Sequence, residues 1–414
     1  MRASWCRPSP RPGSVDEVPG FDAYDPAFVR NPYPVYARLR DEGPYFDDSW
    51  GLTFFSTHRD VTGILRDRRF GRDIRHVLPL DHVDRRTYPE HLPAWCRMIR
   101  GSFIDLEPPE HTRIRAAVNR SFTKRRAEVK RETITTLATG LFDRAALGGA
   151  FDAIADYAAP IPVAVIADLM GVPRDRQPDL LAWSHAIVRV FDLNVTPTEE
   201  QAAEQAVEEF SGYLRSLVTA RRANPGEDLI SELVADNDMP DEDLIATCIL
   251  ILNAGHEATV HAIGNAILAL ARHPEVFARL RREPNLLPTA TEELLRWDPP
   301  LQMFERWVLE NLEWNGVALR TGDKVGLLFG SANHDPAAFT EPETLDPGRT
   351  ENPHVSFGLG THFCLGAPLA RVELEEALGV LVRRVDSVES IDAEPPRTAS
   401  LVFRGVDQLR VRTR

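Results

Sequence analysis

The sequence predicts a mainly α-helical protein with small β-sheets. Three observations carry this: apolar residues recur at three- and four-residue intervals over long stretches, strand-like alternation is confined to short ones, and 32 prolines gather where connections are expected. Hydrophobic content of 43% and charged content of 27% are those of a globular chain able to bury a large core.

In chain order, MRASWCRPSPRPGSVDEVPG is Arg- and Pro-rich without an apolar h-region, so residues 1–20 are expected to be a loose tail and not a secretory signal. WGLTFFS (50–56) reads as a strand. TEEQAAEQAVEEFSGYLRSLVTARR predicts a helix over about 198–222, and further helices follow at about 240–272, 287–297 and 366–384. LEWNGVAL (312–319), KVGLLFG (324–330) and the C-terminal FRGVDQLRVR read as the remaining strands. Nothing resembles an interdomain linker, so residues 21–414 are expected to form one domain. No window approaches 18 uncharged apolar residues, so no membrane span is expected.

The net charge of −14 argues against nucleic acid as a partner. Cys6, Cys96, Cys248 and Cys364 are scattered without a CxxC pair, which fits a reducing, cytoplasmic setting and excludes a zinc ribbon.

The helix over 240–272 is about 50 Å long at about 1.5 Å per residue. It starts on Asp241, Glu242 and Asp243 and ends on Arg272 and His273 before Pro274, as the helix dipole favours. Between these ends ATCILILNAG is apolar on every side, so the helix runs through the core and carries Gly255 and Glu257 with it. Its NAGHEATVHA segment is close to the HExxH pattern of zinc peptidases. His256 and His261, however, are five residues apart, about 140° around the axis, and cannot chelate one ion from a regular helix. A buried carboxylate there requires a partner or solvent.

FGLGTHFCLGAPLAR (357–371) is the second unusual stretch. It lacks the third glycine of a dinucleotide loop, but it sets Cys364 in a Gly-rich turn just before a helix beginning near Leu365. Backbone N–H groups and the positive helix end are expected to lower the thiol pKa and hold a thiolate as a metal ligand.

FGLGTHFCLG resembles the haem-binding loop of the cytochrome P450 superfamily, FGxGxHxCxG, and AGHEAT resembles its oxygen-activating segment, AGxETT or AGxDTT. Three more motifs lie in register. EELLR supplies the ExxR pair Glu293 and Arg296, RTENPHVSFG resembles the RxxNPHxxFG lead-in with Arg349, and EPPEHTRIR carries an HxxxR, His111 and Arg115. The resemblance covers the chain from about residue 21 onward. It implies a P450 fold with a long central helix over a buried haem b (iron protoporphyrin IX), and Cys364 as the axial ligand of the iron. It further implies Arg115, Arg306, His362 and His111 at the propionates and Phe357 shielding the sulfur. Arginine suits that edge because its fork pairs with carboxylates. A thiolate ligand favours O–O cleavage. Glu293, Arg296 and Arg349 would lock the fold.

The expected activity is that of a monooxygenase using O2 and two electrons to hydroxylate an apolar small molecule, in specialised-metabolite biosynthesis. A ferredoxin and its reductase are the implied partners, because no flavin or iron–sulfur motif is present. Arg113, Arg120, Lys124, Arg125 and Arg126 would form their docking face. The resemblance places the substrate pocket at about 72–100, about 183–196, after Pro300 (Met303 and Phe304) and near Leu401 and Val402. Arg72, Arg75, Arg85, Arg86, Arg97 and Arg100 in the first of these suggest an anionic substrate.

The sequence departs from the family at the distal segment, where the catalytic positions are Glu257, Ala258 and Thr259. Ala258 stands where relatives carry the threonine that assists proton delivery, and Thr259 is rotated by about 100°. A substrate hydroxyl or a fixed water is then expected to take over that hydrogen bond. The alternatives are oxidative coupling, cyclisation or desaturation, or a haem protein of this fold that binds a ligand without turnover.

Overall fold

The computed structural model describes residues 22–79, 89, 91–191, 195–235 and 239–414. The expected tail over 1–20, Cys6, Arg85 and Arg86 lie outside the described residues.

The helices begin and end where local chemistry dictates. Pro197–Ala223 opens on a capping box in which Thr196 and Glu199 satisfy each other's backbone N–H groups. Asp241–Arg272, the central helix, has three acidic residues in its first turn and Arg272 in its last. Leu287–Trp297 and Ala367–Arg384, the C-terminal helix, each carry a proline at the N-terminal turn, where no N–H partner is lost.

The central helix packs against Pro160–Met170, Gln177–Val188 and the C-terminal helix. Its residues from Leu244 to Leu270 are largely buried and form the spine of the main core. Two helical stretches, Ala153–Met170 and Asp241–Arg272, are long and apolar enough to cross a membrane, contrary to expectation. Their most apolar windows are 61% and 72% buried inside the protein, which is where core helices of this composition belong.

Ten short strands are present among the described residues: β1 (Tyr45–Asp47), β2 (Leu52–Phe55), β3 (Phe70–Gly71), β4 (Ala150–Asp152), β5 (Met303–Val308), β6 (Leu312–Trp314), β7 (Val317–Leu319), β8 (Lys324–Leu328), β9 (Val388–Ser390) and β10 (Arg410–Thr413). They form a five-stranded sheet ordered β1-β2-β8-β5-β3, a three-stranded sheet ordered β4-β10-β9 and a β6-β7 hairpin. In the largest sheet β2 runs parallel to β8, with Leu52 opposite Lys324, and β5 runs antiparallel to β8, with Arg306 opposite Val325.

Three strand expectations change. LEWNGVAL is a hairpin, because Asn315 (φ 49°) and Gly316 (φ 78°) form a two-residue turn with both φ values positive. KVGLLFG leaves the sheet at Leu328, and Phe329 opens a short helix. Of FRGVDQLRVR only the last residues join a strand, beginning at Arg410.

Candidate functional site

The Cys364 loop is shaped by two glycines. Gly358 (φ 64°) and Gly360 (φ 71°) occupy the left-handed region. At Gly360 a Cβ would also overlap the carbonyl of Leu65, at the end of helix His58–Arg66. The turn closes when Gly358 N–H donates to Val355 O (2.8 Å), Phe363 N–H to Gly360 O (3.1 Å) and Cys364 N–H to Phe357 O (2.9 Å). Phe357 is half-buried, with the Arg371 guanidinium 4.4 Å above its ring.

The helix after the loop starts at Ala367. The N–H groups of Gly366 and Ala367 point at the Cys364 sulfur, and the charges of Arg115 and Arg371 act on it in the same sense. Burial nevertheless outweighs all four and pushes the thiol up, not down as the sequence suggested. A cage built for a thiolate but too dry to sustain one alone would be completed by a metal cation, which deprotonates a coordinating thiol outright.

Beside this loop lies a cluster of donors without enough acceptors. His111, on helix Glu110–Asn119, is 2% exposed, and neither ring nitrogen has a hydrogen-bond partner among the described residues. Its ring centroid is 4.5 Å from that of His362. Burial first, then the positive field of His362 and Arg115, lowers its pKa to about 4. His362 is also lowered by burial, which Glu107 at 3.8 Å partly offsets. Arg306, placed by β5, is buried, and its Nη1 donates to the carbonyl of Glu305 at 2.8 Å. Burial, reinforced by nearby Arg72, brings its pKa down to about 9. Arg115 Nη2 donates to Phe363 O at 2.6 Å. Buried cations and orphaned imidazoles are costly unless anionic acceptors complete them. These residues therefore fit a group with carboxylates along one edge and an iron at Cys364.

Arg72 was placed in a substrate loop by sequence; the structure sets it in this same cluster. Its Nη2 pairs with Asp105 (2.6 Å), its Nη1 donates to Glu305 O (3.0 Å), and it stacks 4.5 Å over Phe304. Arg75 pairs with Asp73 at 2.7 Å, and Arg97 and Arg100 point outward. Apart from Arg72, the described arginines of this stretch thus do not assemble an anion site. Phe304 lies under Arg72 and Arg306, and Met303, 1% exposed, belongs to the packing against Leu328. Both were expected in the pocket wall.

On the central helix, Ala254 is exposed although it stands midway along a core helix, and Ala258 one turn later is half-buried. Gly255 abuts Ile166 so closely that a Cβ would sit 2.7 Å from its Cδ1, a close helix approach. Thr259 is 5% exposed, about 100° around the axis from Ala258. Glu257 is raised by burial, with the His185 charge opposing. Its Oε1 lies 3.1 Å from His185 Nε2 and 3.7 Å from His256 Nδ1, and its Oε2 lies 3.7 Å from His261 Nε2. His185 comes from helix Gln177–Val188. It is not singled out by the sequence, since a single histidine in WSHAIV carries no signal of what it meets.

Glu293 and Arg296 are wholly buried and paired at 2.7 Å. Arg349 Nε reaches the same carboxylate at 3.0 Å, and Arg296 also donates to the carbonyls of Asn333, Pro342 and Thr344. This triad staples the 333–349 segment to helix Leu287–Trp297. Of the cations expected to meet a redox partner, Arg113 is engaged by Glu110 and Asp243, and Arg126 by Glu232, each within 2.9 Å. Lys124 and Arg125 are exposed.

The family model described as Cytochrome P450 matches residues 179–403. The chain belongs to the cytochrome P450 family. It is 32% identical to the polyketide biosynthesis cytochrome P450 PksS of Bacillus subtilis (strain 168), over 94% of this chain and 98% of that one. To the cytochrome P450 monooxygenase PikC of Streptomyces venezuelae it is 34% identical, over 94% and 92%. The crystal structure of P450BioI in complex with hexadec-9Z-enoic acid ligated acyl carrier protein superposes with a TM-score of 0.88 at 31% identity, covering 94% of this chain and 99% of that one. The protein is a cytochrome P450 monooxygenase, and family membership implies a haem-iron cofactor, redox partners and an apolar substrate.

Proposed function

We propose that residues 21–414 form one haem-thiolate unit, working in the cytoplasm with a ferredoxin and its reductase, that hydroxylates an apolar small molecule in specialised-metabolite biosynthesis. Cys364 would hold the iron of haem b, and Arg115, Arg306, His362 and His111, joined by Arg72, would hold its propionates. When bound, the haem supplies dioxygen activation and accepts the incoming electrons one at a time. The observation that carries this reading is the group of buried donors around His111 and Arg306 that have too few acceptors in the protein alone.

The chain's own residues then position and protonate. Glu257 holds the buried carboxylate that passes protons inward, and His185 at 3.1 Å connects it to the surface. Ala258 offers no hydroxyl, and Thr259 is buried about 100° around the axis from it, so a substrate hydroxyl or an ordered water supplies the hydrogen bond at that place. Turnover is thereby coupled to product only when the right substrate lies beside Ala254 and Ala258. The relative named for polyketide biosynthesis supports a substrate of biosynthetic origin.

Ala258→Thr tests this reading. With ferredoxin, reductase and a poorly coupled substrate, the variant is expected to convert more of the consumed reduced nicotinamide into hydroxylated product, by about two- to tenfold, below the roughly 10²-fold at which general acid–base assistance begins because coupling is bounded by full conversion. Unchanged coupling and unchanged rate would refute substrate- or water-assisted proton delivery. A product that has lost hydrogen without gaining oxygen would replace hydroxylation with cyclisation or desaturation.

A further inference from the structure

Glu257 gathers more nitrogen donors than proton transfer requires. His185 Nε2, His256 and one carboxylate oxygen of Glu257 present ligand atoms that all lie within 4.8 Å of one another. The nearest approaches are 3.1 Å from His185 and 3.7 Å from His256, both to Oε1. His256 is 1% exposed, and neither of its ring nitrogens has a hydrogen-bond partner among the described residues. A buried imidazole left unpartnered loses its hydration without recompense, and so points to something that binds there. The side chain of His185 is 57% exposed and lies on a different helix, which leaves the cluster open to solvent on one side.

We propose that His185, His256 and Glu257 form a binding site for a divalent transition cation of the zinc class, joining helix Gln177–Val188 to the central helix. Two imidazoles and one carboxylate are a donor set that borderline cations such as Zn2+ take in sites with one open position. Hard cations such as Mg2+ prefer oxygen ligands. Ligand atoms about 2.0–2.2 Å from a tetrahedral ion stand roughly 3.3 Å apart, so the observed spacing closes by side-chain rotation without movement of the helices. The His256–His261 pair fails the helical spacing for a shared ion, but the second imidazole comes from the neighbouring helix. His261, 3.7 Å from the other carboxylate oxygen, orients Glu257 from behind.

The ion would engage the carboxylate assigned above to proton supply, so zinc would slow turnover reversibly. That consequence rests on the proposed role of Glu257, whereas binding itself does not.

The test is isothermal titration of the haem-loaded enzyme with Zn2+, with Mg2+ as the hard-cation control. Wild-type protein is expected to bind one Zn2+ equivalent with micromolar or better affinity and to give no heat with Mg2+. His185→Ala, a change at an exposed position whose folding is checked by an unaltered haem spectrum, is expected to weaken that event by at least about tenfold. His185→Cys, which returns a zinc ligand, is expected to restore it. Absence of a one-equivalent Zn2+ event, or affinity equal in wild type and His185→Ala, overturns the proposal. If zinc binds as described but leaves turnover unchanged, the site stands and the assignment of Glu257 to proton supply falls.

Discussion

Glu373 lies on the C-terminal helix, 3% exposed, with its Oε2 lacking a partner among the described residues. Burial alone pushes its carboxyl from 4.5 up to about 8. Between these values the folded protein keeps a proton that the unfolded chain has released, so the native state binds more protons and stability falls as pH rises. Below about 4.5 both states are protonated and there is no cost; above about 8 the cost is complete. The interval of about 3.5 pH units, at about 1.4 kcal/mol each, sets an upper bound of about 5 kcal/mol. Glu373→Gln keeps the shape and removes the charge. Unfolding entropy of about 2.1 cal/mol/K per residue over 414 residues is about 0.9 kcal/mol/K. The variant is therefore expected to melt up to about 5 °C higher than wild type at pH 9 and within about 1 °C of it at pH 5. The assay is scanning calorimetry of both haem-loaded proteins at matched scan rate, since such midpoints depend on rate. A difference independent of pH, or a less stable variant at pH 9, would refute the burial argument.

Gly360→Ala combines a left-handed backbone, costing about 1–2 kcal/mol, with overlap at Leu65 O, and is expected to abolish the thiolate-type spectrum of the ferrous carbonyl form. Gly316→Ala, also at positive φ but with open space around it, should lose only the backbone contribution and keep that spectrum. Glu293→Gln leaves Arg296 and Arg349 facing a neutral group in a dry site. A loss of about 3–5 kcal/mol, seen as a melting point about 3–5 °C lower, is expected for such a broken pair. Reversing charge at exposed Arg125 together with Arg126 should slow first-electron transfer from ferredoxin in stopped-flow at low salt, with the difference shrinking as salt is added. An unchanged rate would remove this face from the docking surface.

The long helices were legible because their causes are local. A 3.6-residue apolar period and prolines at the N-terminal turn brought the expected 287–297 and 366–384 helices to within a residue of those observed. The Cys364 loop was legible for a similar reason, since glycines at 358 and 360 announce a backbone that other residues resist. The pairing of Glu293 and Arg296 was implied by the resemblance to the family's ExxR motif, and one helical turn of separation permits it.

What lay beyond the sequence depended on neighbours remote in the chain. LEWNGVAL and KVGLLFG had the right composition for strands, but where each stops is set by which partner strand is there to pair with. Arg72 looked like part of a basic loop until Asp105 and Phe304 were found against it. The direction of the Cys364 thiol is a contest between local N–H groups and burial by the whole fold, and burial wins. The sequence by itself determined the helices, the loop that presents Cys364 and the absence of a hydroxyl at Ala258. The tertiary structure decided that Glu257 meets His185, that Thr259 is buried and that the donors around His111 lack acceptors. Periodicity and backbone preference act within a few residues, whereas desolvation and ion pairing are summed over everything that folds around a side chain.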